Sequence, residues 1–314
     1  MRRLSILSSL LFHLLVQAQF DGPGGEQGSK SILKDASCIT GWATGAQLDR
    51  GYRQINDKPL GLSTIGNESS AAGKADGDVV SLGDSGIVTL TFDHPILDRN
   101  GYDFAVFENG FKVGVSYYLE LAHVEVSKNG LDFVRFPSES LTDTIFQTNN
   151  FSYTDPYKIY NLAGKHQAPY GTLFDINELG FDTVNFVRLI DVVGSVNDTF
   201  GSRDSKGRLI NDPFPSPYES SGFDLDAVAI VNGELLSVQE NLTENSKIYP
   251  TYVFRNQPIH VDVPGEVEIV VTDIHQRRIN SVVNDHTIRI PTSGIYLIHI
   301  EDAGKKITQK VCVN

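Results

Sequence analysis

Apolar and polar residues alternate along most of this chain with the period of two that is typical of β-strands. In residues 86–92 the apolar side chains of Val88, Leu90 and Phe92 are predicted to face inward, with threonines between them. Strong helical periodicity is absent, and helices do not alternate with the strands. The pattern therefore predicts an all-β sandwich or barrel. Further strands are predicted at 102–108, 121–127, 131–136 and 184–193.

Two long polar segments, 142–170 and 197–221, interrupt the strand pattern. Loops of this length inside a compact domain are usually functional or mobile, and aromatic rings on such loops can stack on sugars or planar ligands. The alternative is that these rings cover their own sandwich and bury a small core. The residues that we expect to contact a ligand are Tyr153, Tyr157, Tyr160, His166, Tyr170, Phe214 and Tyr218.

The stretch 221–232 is predicted to be a strand with an ionic start and a buried end. Asp224 and Asp226 fall next to each other on one face of this strand. Two neighbouring carboxylates repel each other, so they need a cation, a basic side chain or open water. Calcium would also fix the long loop before the strand. The alternative is a solvated strand end.

The strand 102–108 supplies two further candidate oxygen ligands, Asp103 and Glu108. They lie on opposite faces of that strand, so only one of them can easily join the acids of 221–232. The predicted ligands of a structural calcium ion are therefore Asp103, Glu108, Asp224 and Asp226.

The chain is predicted to have two β domains behind a signal peptide. Residues 1–18 have a basic start, a short apolar core and small residues before a cleavage site. Residues 19–37 are rich in Gly and Ser and are predicted to be a flexible lead-in. A polar linker at 234–246 is predicted to join a β-sandwich at 38–233 to a smaller sandwich at 247–314. No later segment is apolar enough for a membrane helix, so we expect a soluble, exported protein.

Charge and cysteine content narrow the classes of partner. The formal net charge is −13, and without Arg2 and Arg3 it is two units more negative. This disfavours nucleic acid and anionic membranes as partners but suits calcium or a neutral ligand. Export permits a disulfide between Cys38 and Cys312, although their spacing does not argue for one.

Four segments stand in a characteristic order near the C-terminus: 248–250, 270–273, 294–300 and 306–313. Together they resemble the C-terminal sorting domain of the bacterial type IX secretion system. Thr251-Tyr252 and the run 275–277 depart from the usual pattern of that domain. The resemblance implies an Ig-like β-sandwich at 247–314 that engages the type IX secretion machinery. It also implies release or attachment at the cell surface.

The segments 41–44, 79–83, 102–109 and 222–232 resemble a family of secreted bacterial cell-surface proteins of unassigned function. The resemblance implies a jelly-roll sandwich of the galactose-binding type at 38–233. Similar sandwiches in carbohydrate-binding modules hold a structural calcium with an acidic residue of the final strand, which would be Asp224 or Asp226 here. Relatives occur beside vitamin B12 uptake systems, which adds a corrinoid as a possible ligand.

No catalytic residue is predicted. The run Gly83-Asp84-Ser85-Gly86 matches the nucleophile motif of trypsin-like proteases, but Ile87 replaces the next glycine and too little chain precedes it for the first barrel. We expect a non-enzymatic protein of the cell surface or medium that binds a glycan. The alternatives are a corrinoid-capture protein for a TonB-dependent outer-membrane transporter, a structural adhesin and a glycoside hydrolase.

Deletion of residues 247–314 tests the sorting assignment. We expect the truncated protein to accumulate in the periplasm, because it lacks the segment that the outer-membrane machinery would read. Cell fractionation and immunoblotting measure this distribution. Normal export of the truncated protein would refute the assignment.

Overall fold

The computed structural model describes residues 20–26, 28–232, 247–249, 252–262, 268–273, 277–279, 282–284, 287–302 and 305–313. The chain divides into two compact units. The first contains 1–36, 41–97 and 104–230, and the second contains 37–40, 98–103 and 231–314. The predicted signal peptide at 1–18 and the predicted linker at 234–246 lie outside the described residues.

The protein is an all-β protein, as predicted from the alternation of its sequence. Its helices within the described residues are short 3-10 turns at Lys58–Leu60, Glu68–Ala71, Pro156–Lys158 and Ile176–Leu179. The strands up to residue 232 are β1 (Ser31–Leu33), β2 (Ile39–Trp42), β3 (Gly45–Asp49), β4 (Val80–Ser81), β5 (Ile87–Leu97), β6 (Phe104–Glu108), β7 (Phe111–Val113), β8 (Ser116–Tyr118), β9 (Ala122–Ser127), β10 (Val134–Arg135), β11 (Glu139–Ser140), β12 (Ile159–Tyr160), β13 (Tyr170–Phe174), β14 (Thr183–Asp191) and β15 (Asp224–Val231).

The first unit is a sandwich of two antiparallel sheets. One sheet has the order β1-β13-β6-β15-β2, with β4 also paired to β15, and the other has the order β10-β9-β14-β5-β3. Apolar side chains from both sheets, such as Val106 and Val228 from the first and Leu90 and Val187 from the second, form one buried core. Burial of this apolar surface is the main stabilising contribution to such a fold.

The alternation predicted along 221–232 is wrong beyond Leu225. The pairing of β15 with β6 shifts in register between Leu225 and Ala227, which is the signature of a β-bulge. As a result, Leu225 and Val228 both lie in the core. Asp226 accepts hydrogen bonds from the backbone N–H groups of Asp76 and Gly77, at 3.0 and 3.1 Å.

The lead-in, which its composition predicts to be flexible, is held on the first sandwich. β1 pairs with β13, and Phe20 stacks on Tyr160 with ring centroids 5.4 Å apart. The buried Lys165 ammonium lies 2.6 Å from Asp21 and donates a second hydrogen bond to the carbonyl of Ile159. The expectation of a flexible segment is therefore wrong for residues 20–26 and 28–36, because strand pairing and a buried ion pair hold them in place.

The second unit contains a smaller sandwich with its own core. Its two sheets have the orders β16-β18-β21-β20 and β17-β23-β22-β19. Ile259, Ile288, Ile298 and Val311 are among its fully buried residues. Cys38 is buried, whereas the side chain of Cys312 lies outside the described residues. The strands are β16 (Lys247–Tyr249), β17 (Tyr252–Val253), β18 (Ile259–Asp262), β19 (Glu268–Asp273), β20 (Val282–Asn284), β21 (Thr287–Arg289), β22 (Gly294–Asp302) and β23 (Lys305–Val313).

Across the described part of the chain, no helix has the length and apolar character needed to cross a membrane.

Replacement of Asp21 by Ala tests the anchor of the lead-in. It leaves the Lys165 ammonium buried without its counter-charge, so we expect the free energy of unfolding to fall by about 3 kcal/mol. The matched control is Asp35→Ala, which breaks an exposed pair with Lys74 and should leave the free energy of unfolding almost unchanged, because solvent screens such a pair. Urea unfolding of the full chain measures the change in unfolding free energy of both variants. Equal losses of stability would contradict the claim that the Asp21–Lys165 pair anchors the lead-in.

Candidate functional site

Six buried carboxyl groups gather at strand ends of the first unit, and we call them the acidic end. Each of these side chains belongs to a residue that is at most 6% exposed. They come from the ends of β6, β14 and β15, from the turn before β5, from the segment before β9 and from the loop between β14 and β15. The members are Asp84, Glu108, Glu120, Asp191, Asp212 and Asp224.

Two of the six, Asp84 and Asp191, hold neighbouring segments in place by accepting hydrogen bonds from backbone N–H groups. Asp191 accepts hydrogen bonds from the N–H of Phe223 at 2.7 Å and of Ser85 at 3.0 Å. Asp84 accepts one from the N–H of Ile55 at 2.8 Å. Gly222 has a φ of +73°, and a Cβ there would lie 2.7 Å from a carboxylate oxygen of Asp191. These contacts hold the start of β15 against the turn before β5.

The other four, Glu108, Glu120, Asp212 and Asp224, form what we call the carboxyl cluster. Each of them accepts at least one hydrogen bond from a protein donor. Gly110 N–H donates to Glu108 at 2.7 Å, and Leu121 N–H donates to Asp212 at 3.0 Å. The Tyr118 hydroxyl donates to Glu120 at 3.3 Å. Asp224 accepts from Asn109 at 3.0 Å and from the Ser81 hydroxyl.

The carboxyl cluster is electrostatically strained. Burial raises the pKa of Glu108, Glu120 and Asp212 well above their usual values, and it raises the pKa of Asp224 to about 6. After burial, the largest influence on the pKa of Glu108 and of Glu120 is the charge of Asp224. The charges that raise the pKa of Glu108 and of Glu120 further include those of Asp224 and Asp212, whereas the charges that raise the pKa of Asp212 belong to Asp191 and Asp84.

Two oxygens of this cluster make no hydrogen bond within the described residues: Glu108 Oε1 and Asp212 Oδ1. A buried carboxyl oxygen without a partner is costly, because it has lost water and gained nothing in exchange. Such an atom marks a place where a positive or hydrogen-donating group is missing from the protein's own side chains.

Only two of the four predicted calcium ligands meet in this cluster. Glu108 and Asp224 are neighbours, whereas Asp226 is held by the 76–77 backbone. Asp103 precedes the opposite end of β6, where its carboxylate accepts a hydrogen bond from Arg99 N–H at 2.9 Å and lies within 4.8 Å of that of Asp98.

Glu120 and Asp212 were missed by the sequence-based prediction. Glu120 stands between Leu119 and Leu121, whereas Asp212 stands between Asn211 and Pro213. An acidic residue within a buried apolar run is a signal that could have identified Glu120.

The structure divides the predicted aromatic ligand residues into buried, partly buried and exposed groups. His166 and Phe214 are buried, with exposed fractions of 1% and 5%. Three tyrosines of the predicted set are partly buried and face the lead-in. The Tyr157 hydroxyl donates a hydrogen bond to Glu26, and Tyr160 stacks on Phe20. Tyr170 lies against Gly24 and Gly25. The lead-in covers these rings because it is anchored rather than flexible.

Tyr153 and Tyr218 are exposed, as expected, and Phe146 and Phe151 are more exposed still. We call the two segments that carry these four rings, 142–170 and 197–221, the aromatic loops. The two segments are joined by a hydrogen bond from Asn150 to the Tyr218 hydroxyl at 3.0 Å and by one from Phe214 N–H to the Thr148 carbonyl at 3.2 Å.

A groove of about 430 Å³ lies on the side of the β9-β14-β5-β3 sheet that carries Thr89 and Thr91, the threonines predicted to face away from the core. Two aromatic rings line it, those of Phe133 and Phe186. The Arg188 guanidinium lies 3.7 Å from the ring centroid of Phe133 and also pairs with Glu125. The groove, which we call the sheet groove, is further lined by Gln47, Asp49, Thr89, Thr91 and Arg188.

His166 gives the first unit a testable acid sensitivity. Burial lowers the pKa of His166 to about 4, and the neighbouring Lys165 ammonium adds to the shift. The unfolded chain binds this proton near pH 6.5, so stability is full above that pH and is lost as the pH falls towards 4. Between pH 7 and pH 5 we expect His166 to account for a loss of about 2 kcal/mol.

Urea unfolding at both pH values should therefore show a smaller acid loss in His166→Asn than in the wild type. His94→Asn, at an exposed position, is the matched control and should leave the acid loss unchanged. An acid loss in His166→Asn equal to that of the wild type would contradict the assignment.

Comparison with known proteins assigns no family to this chain. No protein-family model matches it, and no curated protein is significantly similar to it. Any function assigned to the first unit therefore depends on its own geometry and chemistry.

Proposed function

We propose that this chain is an exported, non-enzymatic binding protein that holds a glycan in the sheet groove. The observation that carries the proposal is the make-up of the groove. It combines two aromatic rings with exposed polar side chains on a strand-paired, rigid surface. Sugars present apolar ring faces and many hydroxyl groups, so they suit a lining of this mixed kind.

The charge of the groove supports a neutral ligand. Asp49 brings a carboxylate to its rim, and Arg188 is already paired with Glu125. The paired arginine can donate to a hydroxyl group without presenting an isolated positive charge. A shallow, polar groove of this type binds through many modest hydrogen bonds.

The aromatic loops are a second candidate contact for the same class of ligand. Their exposed rings lie on segments tied together by hydrogen bonds. Preorganised rings lose little conformational entropy on binding. They are the ligand site that the sequence predicts, so an experiment must separate them from the sheet groove.

Delivery by the type IX secretion system remains part of the proposal, on the basis of the C-terminal motifs. All four matched segments fall on strands of the second unit, at β16, β19, β22 and β23, with residue 250 outside the described residues. The corrinoid, adhesin and hydrolase alternatives are kept as outcomes of the binding test.

A glycan array followed by calorimetry, with cobalamin as a competing probe, tests the proposal on the full chain. We expect Gln47→Ala combined with Asp49→Ala to weaken binding of the best glycan about ten-fold or more, because two exposed hydrogen-bonding groups are lost from the groove. The matched control is Phe151→Ala combined with Tyr218→Ala, which should bind as the wild type does.

If only the variant with Phe151→Ala and Tyr218→Ala loses binding, the ligand binds at the aromatic loops and the proposed groove site is wrong. Binding of cobalamin but no glycan would favour the corrinoid alternative, and binding of neither would favour an adhesin. Release of reducing sugar from a bound glycan would overturn the non-enzymatic proposal.

A further inference from the structure

Strand pairing places five polar or charged side chains of the β10-β9-β14-β5-β3 sheet in a single row. Arg135 of β10 pairs with Glu125 of β9, which pairs with Arg188 of β14. Arg188 pairs in turn with Thr89 of β5, and Thr89 pairs with Gln47 of β3. Side chains at paired positions of neighbouring strands lie on the same face of a sheet. This row, which we call the polar row, therefore crosses all five strands on the face that carries the sheet groove.

The polar row is fixed at its arginines. Glu125 is buried, and its carboxylate is shared: Oε1 accepts from Arg135 at 2.8 Å, and Oε2 accepts from Arg188 Nε at 2.7 Å. The ring of Phe133 lies over the Arg188 guanidinium. The bonds from Arg188 to Glu125 use Nε and Nη2, and a guanidinium has five N–H donors. Its Nη1 group can therefore serve a ligand from a fixed position.

The outer face of this sheet is covered at one end of the polar row. All six residues of β9 are buried, although only alternate side chains, such as Val124 and Val126, belong to the core. The segment after β9 lies over the neighbouring strand: Phe133 stacks on Arg188, and a Cβ at Gly130 would lie 3.1 Å from the ring of Phe186. The groove is therefore closed on the side of β9.

The other end of the polar row is open to solvent. Gln47 and Asp49 of β3 are exposed, and the lining of the groove ends at this strand. A ligand longer than the groove can therefore extend past β3, whereas the segment that carries Phe133 blocks it on the opposite side. The sheet groove has one closed end and one open end.

The two ends differ in chemistry as well as in shape. The closed end has both aromatic rings, Phe133 and Phe186, which offer a surface for the apolar face of one sugar ring. The middle and the open end offer the Thr89 hydroxyl, the Gln47 amide and the Asp49 carboxylate, which suit a succession of hydroxyl groups. The groove thus combines one stacking position with a line of hydrogen-bonding groups.

From this arrangement we propose that the sheet groove binds the end of a linear, neutral oligosaccharide. The terminal sugar lies at the closed end, against Phe133, Phe186 and Arg188, and the chain leaves over β3. This inference rests on the proposed function and extends it: it assigns the ligand to linear chains, it assigns recognition to their ends, and it gives Phe133 and Gln47 different roles.

Strand spacing determines how many sugar units the protein contacts. Neighbouring strands lie about 4.8 Å apart, so the polar row covers about 10 Å between Arg188 and Gln47. A pyranose unit of an extended chain advances by a distance close to one strand spacing. One unit therefore falls over each of β14, β5 and β3. The groove volume of about 430 Å³ lies in the range of about 300–1,000 Å³ that is typical of small-ligand sites.

Titration of the full chain with oligosaccharides of increasing length tests the inference. The probes are neutral series of β-linked glucose, mannose and galactose with one to six units, followed by calorimetry and, for the weakly bound monosaccharides, by NMR. For a series that binds, we expect the affinity to rise up to three units and then to stay constant. An affinity that keeps rising beyond four units would overturn the closed end, and equal affinities for one and three units would overturn the row of contacts.

Two variants separate the closed end from the open end. Gln47→Ala should weaken binding of the trisaccharide about five-fold, because one hydrogen bond is lost, and should leave binding of the monosaccharide unchanged. Phe133→Ala should weaken both about ten-fold, because the terminal sugar loses its stacking surface. Leu131→Ala, at an exposed position of the same segment, is the matched control and should change neither. Equal effects of Gln47→Ala on both sugars would contradict the assignment.

A further variant guards against a folding defect at the closed end. Phe133→Leu keeps the apolar contact with Arg188 but removes the aromatic ring, so we expect an unfolding midpoint close to that of the wild type together with weaker binding of the monosaccharide. Unchanged monosaccharide binding in this variant would overturn the stacking position.

The experiment also separates this inference from the proposed function. If no oligosaccharide binds, both are wrong. If an oligosaccharide binds and Gln47→Ala combined with Asp49→Ala weakens it, the groove stands as the glycan site, and an affinity that still rises beyond four units then refutes only the recognition of chain ends.

Discussion

The burial of like charges beside one another is the constraint on which the first unit depends. Carboxyl groups from the ends of β6, β14 and β15 and from the connecting segments lie out of water at the acidic end. Each such group costs several kcal/mol to bury unless it is compensated. Backbone amides of Ser85 and Phe223 each donate a hydrogen bond to one carboxylate oxygen of Asp191. The carboxyl cluster is only partly compensated, because two of its oxygens have no donor among the residues that the structure describes.

A sandwich suits this arrangement because its two sheets share one rigid core. Strand pairing places the last residue of β6 opposite the start of β15, with Glu108 and Leu225 in register. The cluster therefore sits on elements that are defined by packing rather than by the loops alone. The loop that carries Asp212 continues to Tyr218, so it connects the carboxyl cluster to a segment that bears an exposed aromatic ring.

The sequence predicts the all-β fold because period-two alternation survives in most strands, as in β5. It does not predict the bulge in β15, because one extra residue in a strand has no distinctive mark in the pattern of apolar and polar residues. The anchoring of the lead-in was also missed. Its Gly- and Ser-rich composition suggests flexibility, and the ion pair between Asp21 and Lys165 joins residues that are far apart in the sequence. Glu108 and Asp224 could be identified as neighbours from strand patterns, whereas Asp212 lies in a loop whose path the alternation does not constrain.

Titration of the carboxyl groups of the full chain by carbon-13 NMR tests this constraint most directly. We expect the pKa of Asp224 to be about 6 and the pKa values of Glu108, Glu120 and Asp212 to lie well above their usual range, because burial disfavours the charged form of each group. Ordinary pKa values of about 4 for all four groups would contradict the burial of like charges at the acidic end.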